Sequence, residues 1–492
     1  MSNTAESKDA LKATGTVGGG QIVNIVIGLV RVKFMAVILG PAGVGIVGLL
    51  TTALDMIRSV SGLGLSFSGV RDIAQATAND DQAALARTVQ VFNTWIIITG
   101  FAGMLITIAC CIPISRLLFD NDNYALSLAI LSVSVFLTAI STGLTAVMQG
   151  QRALRIMVLS GIVANLVSAL LVVIVYLVFG QKGIVPAFII TSLVNLITAW
   201  HFYRKLNIPA IPWLSISESW ISAKNMIRIG MFTIFVSVFD QLMSLGLRSF
   251  IAQKTGVEGV GLLTAATTIA AFYLNIVLTS IGTDYYPRLA AVQDDNTALQ
   301  RALNAQLYII LLLASPLIIG MVGFGDIVID LLYSSKFRGA VPILKWQIMG
   351  DFFKIISWPC GYIFLAKGLG RLYVGYSVTY TILNMAIIFF GWPYMGFLGI
   401  GVSFFIAQFC AMTFTYVYSY LKFGIYIEQE NRTVIILAAL ALVTAYVAHE
   451  YLSGMTQILV SALVLVLVCL YAVHKLDSIV NIHGVLKKLR KR

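Results

Sequence analysis

Charge is scarce in this chain: Asp, Glu, Lys and Arg together supply 11% of its 492 residues, and histidine occurs only four times. A water-soluble domain usually carries about a quarter of its residues charged, so that class is excluded. His201, His449, His474 and His483 stand near the ends of apolar runs, which argues against a His-built metal centre or general base. Cys110, Cys111, Cys360, Cys410 and Cys469 are scattered in or beside apolar stretches and form neither a disulfide framework nor a CxxC metal motif. The glycines between 256 and 261 lack a phosphate-loop Lys and follow no strand, which argues against a nucleotide-driven pump. Long loops are also lacking. The longest outward ones, around 116–124 and 334–340, leave no room for a catalytic head outside the membrane. A polar start, Met1 to Ala13, leads into an apolar run much longer than a signal-peptide core, so no cleaved targeting peptide is expected.

What the chain has in abundance is apolar sequence, 59% of its residues. Runs of about 20 residues, each long enough to cross a hydrocarbon core as a helix, recur about fourteen times. They fall roughly at 12–39, 43–70, 88–113, 124–150, 155–179, 182–203, 224–250, 257–286, 302–325, 341–366, 371–391, 396–422, 433–450 and 456–474. The expected fold is therefore an all-α polytopic membrane protein.

The chain also repeats itself. Asp80-Asp81-Gln82-Ala83-Ala84-Leu85-Ala86-Arg87 returns as Asp294-Asp295-Asn296-Thr297-Ala298-Leu299-Gln300-Arg301, with both Asp, the Ala, the Leu and the Arg kept. Gly48-Leu49-Leu50-Thr51 returns as Gly261-Leu262-Leu263-Thr264, and Leu117-Leu118-Phe119 as Leu331-Leu332-Tyr333, all at a shift of about 213 positions. A duplicated bundle predicts two lobes of six helices, 1–205 and 224–424. An even helix count gives both the same orientation, so a pseudo-twofold along the membrane normal should relate them. Between them, 206–223 carries Pro209, Pro212, Trp213 and Trp220 and reads as an interfacial cytoplasmic linker. The remainder, 425–492, adds two helices without counterparts in the first lobe and a basic tail.

Lys and Arg crowd the loops on the side of the termini, by roughly four to one over the opposite loops, which hold Arg116, Lys182, Lys254, Lys336 and Arg338. Both termini are thus expected in the cytoplasm. The basic tail reads as an orientation signal near anionic lipid and not as a nucleic-acid site.

Ionisable groups inside a span cost about 2.5 to 3.5 kcal/mol each on insertion scales, so they face a partner or a wet cavity. Asp55 with Arg58, Asp240, and Asp351 with Lys354 lie near mid-depth. In both pairs acid precedes base by three residues, which puts the two on one helical face. Either these are self-neutralised local pairs or they line a cavity and exchange partners with substrate or ion. Arg31, Lys33 and Arg248 lie nearer the outer ends, as does Lys345, which snorkelling accounts for. If Arg31 and Arg248 point inward, the cavity is positive and suits an anion, since Arg grips phosphate oxygens bidentately. Gly18-Gly19-Gly20, Gly62, Gly64, Pro359 and Gly361 read as packing or bending points, and Tyr285-Tyr286-Pro287 as a helix end.

Leu39-Gly40-Pro41-Ala42-Gly43-Val44-Gly45, and above all Trp346-Gln347-Ile348-Met349-Gly350-Asp351-Phe352-Phe353-Lys354 followed by Ala366-Lys367-Gly368, resemble the Wzx-type flippases of lipid-linked oligosaccharides, the O-antigen and enterobacterial-common-antigen translocases. The likeness covers about 12–424. It implies membership of a superfamily of two-lobed exporters that also holds multidrug antiporters and the peptidoglycan-precursor (lipid II) flippase. Many Wzx proteins have about twelve helices, whereas lipid II flippases resemble this chain in having fourteen. The resemblance implies a non-enzymatic transporter of the bacterial inner membrane that moves an undecaprenyl-pyrophosphate-linked glycan to the periplasmic leaflet. It also implies a polysaccharide polymerase and chain-length proteins as partners, and no cofactor beyond a proton or Na⁺. Arg31, Lys33, Arg58, Arg248 and Lys354 would bind substrate; Asp55, Asp240 and Asp351 would carry the ion. The alternatives are lipid II transport, ion-coupled drug export (which would want an acid-dominated cavity) and a glycan polymerase or ligase (which would need a large outer loop).

The loop-charge bias makes a direct prediction. Alkaline phosphatase fused after Asn121 or Pro393 should be active and fused after Arg432 or Arg492 inactive; an active fusion at Arg492 would refute the fourteen-helix topology.

Overall fold

The structure, a computed structural model, describes residues 2–78, 81–206, 208 and 215–480. Asp80, Pro209, Pro212, Trp213, His483 and the basic tail from Lys487 onward lie outside them. Every regular element among the described residues is helical, fifteen α-helices in all. These are α1 (Ser2–Ser61), α2 (Leu65–Ala78), α3 (Gln82–Ala109), α4 (Cys111–Phe119), α5 (Ala125–Gly150), α6 (Leu154–Phe179), α7 (Ile184–Tyr203), α8 (Ile216–Ala291), α9 (Asn296–Gly323), α10 (Gly325–Leu332), α11 (Val341–Ala366), α12 (Gly370–Met395), α13 (Phe397–Phe423), α14 (Gln429–Tyr451) and α15 (Gly454–Val480). Eleven apolar helical stretches among the described residues are long enough to cross a membrane. Three of them, Val23–Ser61, Leu154–Tyr203 and Ser237–Leu274, contain a break near mid-length and are long enough for two crossings each, which is compatible with fourteen.

The breaks in α1 and α8 have one cause. Gly40 (φ 66°, ψ −175°) and Gly256 (φ 72°, ψ −179°) adopt a backbone conformation essentially restricted to glycine. At Gly40 the chain folds back. Arg31 and Arg58 would lie about 40 Å apart on one straight helix. Yet Arg31 bonds Thr191, while Arg58 bonds Ser134 and Thr138, both of which bond the adjacent Ser192. Gly256 acts likewise, bringing Arg248 within 2.7 Å of Thr264.

The internal repeat is legible in backbone detail. Asp81 caps α3 by accepting from the amides of Ala83 and Ala84, and Asp295 caps α9 by accepting from those of Thr297 and Ala298. An Arg–Asp clasp also recurs at loop level. Arg116 holds Asp122 at 2.7 Å and keeps its carboxyl below the ordinary carboxylate range, and Arg338 holds Asp330 at 2.5 Å.

The chain divides into two compact units, Met1–Thr264 and Ala265–Arg492, with the division inside α8. In the first unit, the second arm of α1 crosses α8 backbone to backbone. A Cβ on Gly45 would fall 1.8 Å from the Val257 carbonyl oxygen, and one on Gly261 would fall 2.0 Å from that of Pro41. The two contacts are reciprocal between matching positions of the repeat. An apolar core of Leu50, Leu54, Leu128, Leu131 and Val135 fills the space between this arm and α5. The second expected span does not run unbroken to residue 70. Leu63 and Gly64 take positive φ and end α1 at Ser61, so that α2 starts afresh.

In the second unit α11 is the central helix, packed on α9, α12 and α13. Pro287 does not end its helix, since α8 continues to Ala291. One lost amide donor is tolerable where Tyr285 and Leu289 bury themselves against Leu299, Leu303 and Cys360. The C-terminal pair α14–α15 is stitched on by polar contacts. Asn431 donates to the carbonyl and side-chain oxygens of Asn304, and Gln457 donates to the Gly323 carbonyl. Lys345, expected to snorkel, is instead buried: it donates to Glu450 at 2.8 Å, lies 3.3 Å from His449 Nδ1 and faces the Tyr446 ring. His449 in turn sits 2.9 Å from Asp326. The lysine had an ion partner on α14, which removes the need to reach water.

The reciprocal crossing predicts unequal effects of equal substitutions. Gly45→Ala or Gly261→Ala should lower the unfolding free energy of detergent-purified protein by about 1–3 kcal/mol, because a backbone carbonyl cannot swing aside as a side chain can. Gly246→Ala, with nothing within 4 Å of the added methyl, should leave it within about 0.5 kcal/mol. Equal melting temperatures for all three would remove the crossing as a constraint.

Candidate functional site

The charged residues singled out in the sequence separate into two places. In the first unit α1 supplies Arg31 and Lys33 from its first arm and Asp55 and Arg58 from its second, while α8 supplies Asp240 and Arg248. Arg58 Nη1 donates to Asp55 Oδ1 at 3.0 Å, and its Nη2 donates to Ser134 and Thr138 on α5 at 3.4 and 3.3 Å. Its Nε is buried and has no hydrogen-bond partner among the described residues. Ser134 and Thr138 lie 2.6 and 3.2 Å from Ser192 on α7, and the neighbouring Thr191 accepts from Arg31 at 3.4 Å. Arg248 donates to Thr264 and is close enough to Asp55 to interact electrostatically. Arg58 and Arg248 are thus joined through the Asp55 carboxylate, Arg58 reaches a patch of three hydroxyls, and Arg31 bonds Thr191, the residue next to Ser192 in that patch.

Arg58 and Arg248 set against the one carboxylate of Asp55 leave positive charge in excess, so this is not a closed ion pair. Asp55 compensates part of the charge and keeps 39% of its side chain exposed, while Arg58 keeps 26%. The hydroxyls orient the guanidinium groups without neutralising them. Lys33 is half-buried on the same arm as Arg31, and Asp240 is exposed on α8.

The second place is on α11. Asp351 is 2% exposed, and its Oδ2 accepts a 2.8 Å hydrogen bond from the Tyr273 hydroxyl of α8. Lys354 acts on it only electrostatically; among the described residues no ion pair within 4 Å joins the two. The acid-then-base spacing therefore gives a contact at Asp55 and Arg58 but none at Asp351 and Lys354. A nearer donor on another helix has taken the carboxylate. Tyr273 had no sequence signal, being one tyrosine among 20 in an apolar run. The hydroxyls of Ser134, Thr138, Thr191 and Ser192 were likewise missed, although their clustering at one level of α5 and α7 is visible once those helices are aligned. Among the described residues no group of three or more His, Cys, Asp or Glu could hold a metal ion.

Tyr273→Phe should leave the Asp351 carboxyl without its donor and lower stability by about 1–3 kcal/mol. Lys354→Gln should change it by less than about 0.5 kcal/mol, because no direct contact is lost. Thermal unfolding of the two purified variants checks this, and the reverse order would restore Lys354 as the partner of Asp351.

Residues 34–342 match a family described as polysaccharide biosynthesis protein. The chain is 24% identical to the lipid III flippase of Escherichia coli (strain K12) over 392 residues, which are 79% of this chain and 92% of that one. Among solved structures it resembles an inward-facing multidrug resistance MATE family transporter of the MOP superfamily, with a TM-score of 0.69 and 15% identity over 85% of this chain and 95% of that one. It also resembles the lipid II flippase MurJ in an inward closed conformation, with a TM-score of 0.65 and 13% identity over 94% and 98% of the two chains. At these identities the two structures establish a shared fold.

Proposed function

We infer that this chain, which belongs to the polysaccharide biosynthesis protein family, is a flippase that carries a lipid-linked oligosaccharide from the cytoplasmic to the periplasmic leaflet for surface-polysaccharide assembly. It is a transporter and not an enzyme. The observation that carries the reading is the joining of Arg58 and Arg248 through Asp55, with Arg31 held one residue from the α5–α7 hydroxyls that Arg58 bonds, within apolar helices long enough to span a membrane. A pyrophosphate brings two charged groups that a guanidinium grips bidentately, and the buried unmet Nε of Arg58 is a donor in reserve. Arginine suits this role because it stays charged when partly desolvated. The polyprenyl tail can remain in lipid while the headgroup crosses. A relative matched over nearly its whole length, the lipid III flippase, fits the same reading. A drug-cation exporter fits the site less well, since its cargo would meet net positive charge.

The chain resides in the bacterial inner membrane with both termini in the cytoplasm. A proton or Na⁺ is the coupling ion. Asp55, Asp240 and Asp351 are the candidate carboxylates for it, and of these Asp351 is buried and held by Tyr273. Lys354 lies beside it as a second cationic contact for substrate. A polysaccharide polymerase and chain-length proteins take up the product.

Arg58→Ala should reduce surface glycan at least about tenfold in a strain that depends on this chain, with protein abundance near normal. Arg58→Lys should recover only part of it, because an ammonium keeps the charge and loses the fork. Wild-type glycan levels with Arg58→Ala would reduce Arg58 to a structural partner of Asp55.

A further inference from the structure

The first unit contains a second polar feature that the arginine site does not use. Between α2, α5, α6 and α7 lies a cleft of about 330 Å³, at the lower end of the range of small-molecule sites. Its wall holds neither a charged nor an aromatic residue. Hydroxyl and carboxamide groups are instead set among Val70, Ala146, Met157 and Ala164. Ser66, Thr142, Gln149, Ser160 and Asn195 all line it, and among the described residues none of their side chains has a hydrogen-bond partner. Ser160 is only 5% exposed and stands at the cleft wall. Polar groups left unpaired against hydrocarbon are costly, so this wall faces water or a polar ligand and not lipid tails.

The remaining hydroxyls add directionality. Ser141, Thr145 and Thr198 donate to backbone carbonyls of their own helices at 3.0, 2.9 and 2.6 Å. With their protons committed, these oxygens turn lone pairs outward and act as acceptors. Gln149 and Asn195 bring both amide donors and carbonyl acceptors. A wall rich in acceptors, with two carboxamides and no charge, matches a ligand dense in O–H groups and carrying an amide.

Thr138 ties the cleft to the anion site, since it lines the cleft and accepts from Arg58 Nη2 at 3.3 Å. A ligand whose phosphate lies at Arg58 would therefore present its next group to the cleft. We propose that the cleft is the sugar subsite, and that it holds the first uncharged, acetamido-bearing sugar ring next to the pyrophosphate. This assignment rests on the flippase reading and adds to it a determinant of glycan choice.

The test uses the purified full chain in lipid nanodiscs and two probes, undecaprenyl pyrophosphate and undecaprenyl-pyrophosphoryl-N-acetylglucosamine. Wild type should bind the sugar-bearing probe about tenfold more tightly, the yield of one or two added neutral hydrogen bonds. The double variant Thr142→Val with Asn195→Leu should bind both probes equally, with affinity for the sugar-free probe unchanged, which also reports that the variant is folded. A preference that survives in the double variant, or that is absent from wild type, overturns the subsite. Loss of affinity for both probes alike in the double variant overturns it as well. The flippase reading fails separately, if the sugar-free probe binds wild type no better than Arg58→Ala; if neither probe binds wild type, both proposals fall.

Discussion

Two glycines, Gly45 and Gly261, set how near the leading helices of the two repeats can come, and the charged site depends on that nearness. Each presents bare backbone to a carbonyl of the other helix, so any side chain at either position would overlap main-chain atoms. One turn further along, the position of a Cβ on Gly48 lies 2.8 Å from Arg248 Nη1 and 2.4 Å from the Thr264 hydroxyl. The missing side chain is thus the space in which Arg248 reaches across. Without hydrophobic driving force between helices in lipid, such close approach is a main source of specificity. Here it also brings a cation of α8 to the carboxylate of α1.

The charges then survive in the membrane by shared, incomplete compensation. Arg58 spreads its donors over Asp55, Ser134 and Thr138, and Arg31 takes Thr191. Each neutral hydroxyl lowers the cost of holding a guanidinium without cancelling its charge. A full complement of carboxylates would instead have cancelled that charge. In the second unit the balance is opposite: Asp351 is enclosed and satisfied by a neutral phenol.

Apolar run length made the helical class legible, because it is a one-dimensional signal. Asp81 and Asp295 even carried their capping geometry in the alignment of their neighbours. The positions of Arg31, Asp55, Arg58 and Arg248 within spans were enough to suggest a shared site. Their connection was not legible, since it runs through serines and threonines that look alike wherever they fall in a helix. Lys345 shows the same limit from the other side. Near a span end the cheapest local account is snorkelling, and only the arrival of Glu450 and His449 from about a hundred residues further on replaces it. Spacing along one helix also misled at Asp351, where three residues to Lys354 promised a contact that Tyr273 makes instead.

The appended helices follow from the same physics. α14 and α15 have no repeat partner to complete a symmetric interface, and against lipid their apolar faces gain little by packing on α9. Polar stitches at both ends supply the missing specificity. At one end Asn304 bonds the Tyr426 carbonyl, the Glu428 amide and the Asn431 side chain, which fixes the entry into α14. At the other end Lys345, His449, Glu450 and Asp326 tie α14 to α10 and α11. Breaking such a stitch leaves a donor or acceptor unmet in a poorly solvated place, so each holds register more firmly than an apolar contact of equal area. Because Lys345 and Asp351 share α11, the added pair grips the helix that carries the enclosed carboxylate. Lys345 thus fixes α14 against the same helix that presents Asp351 to Tyr273.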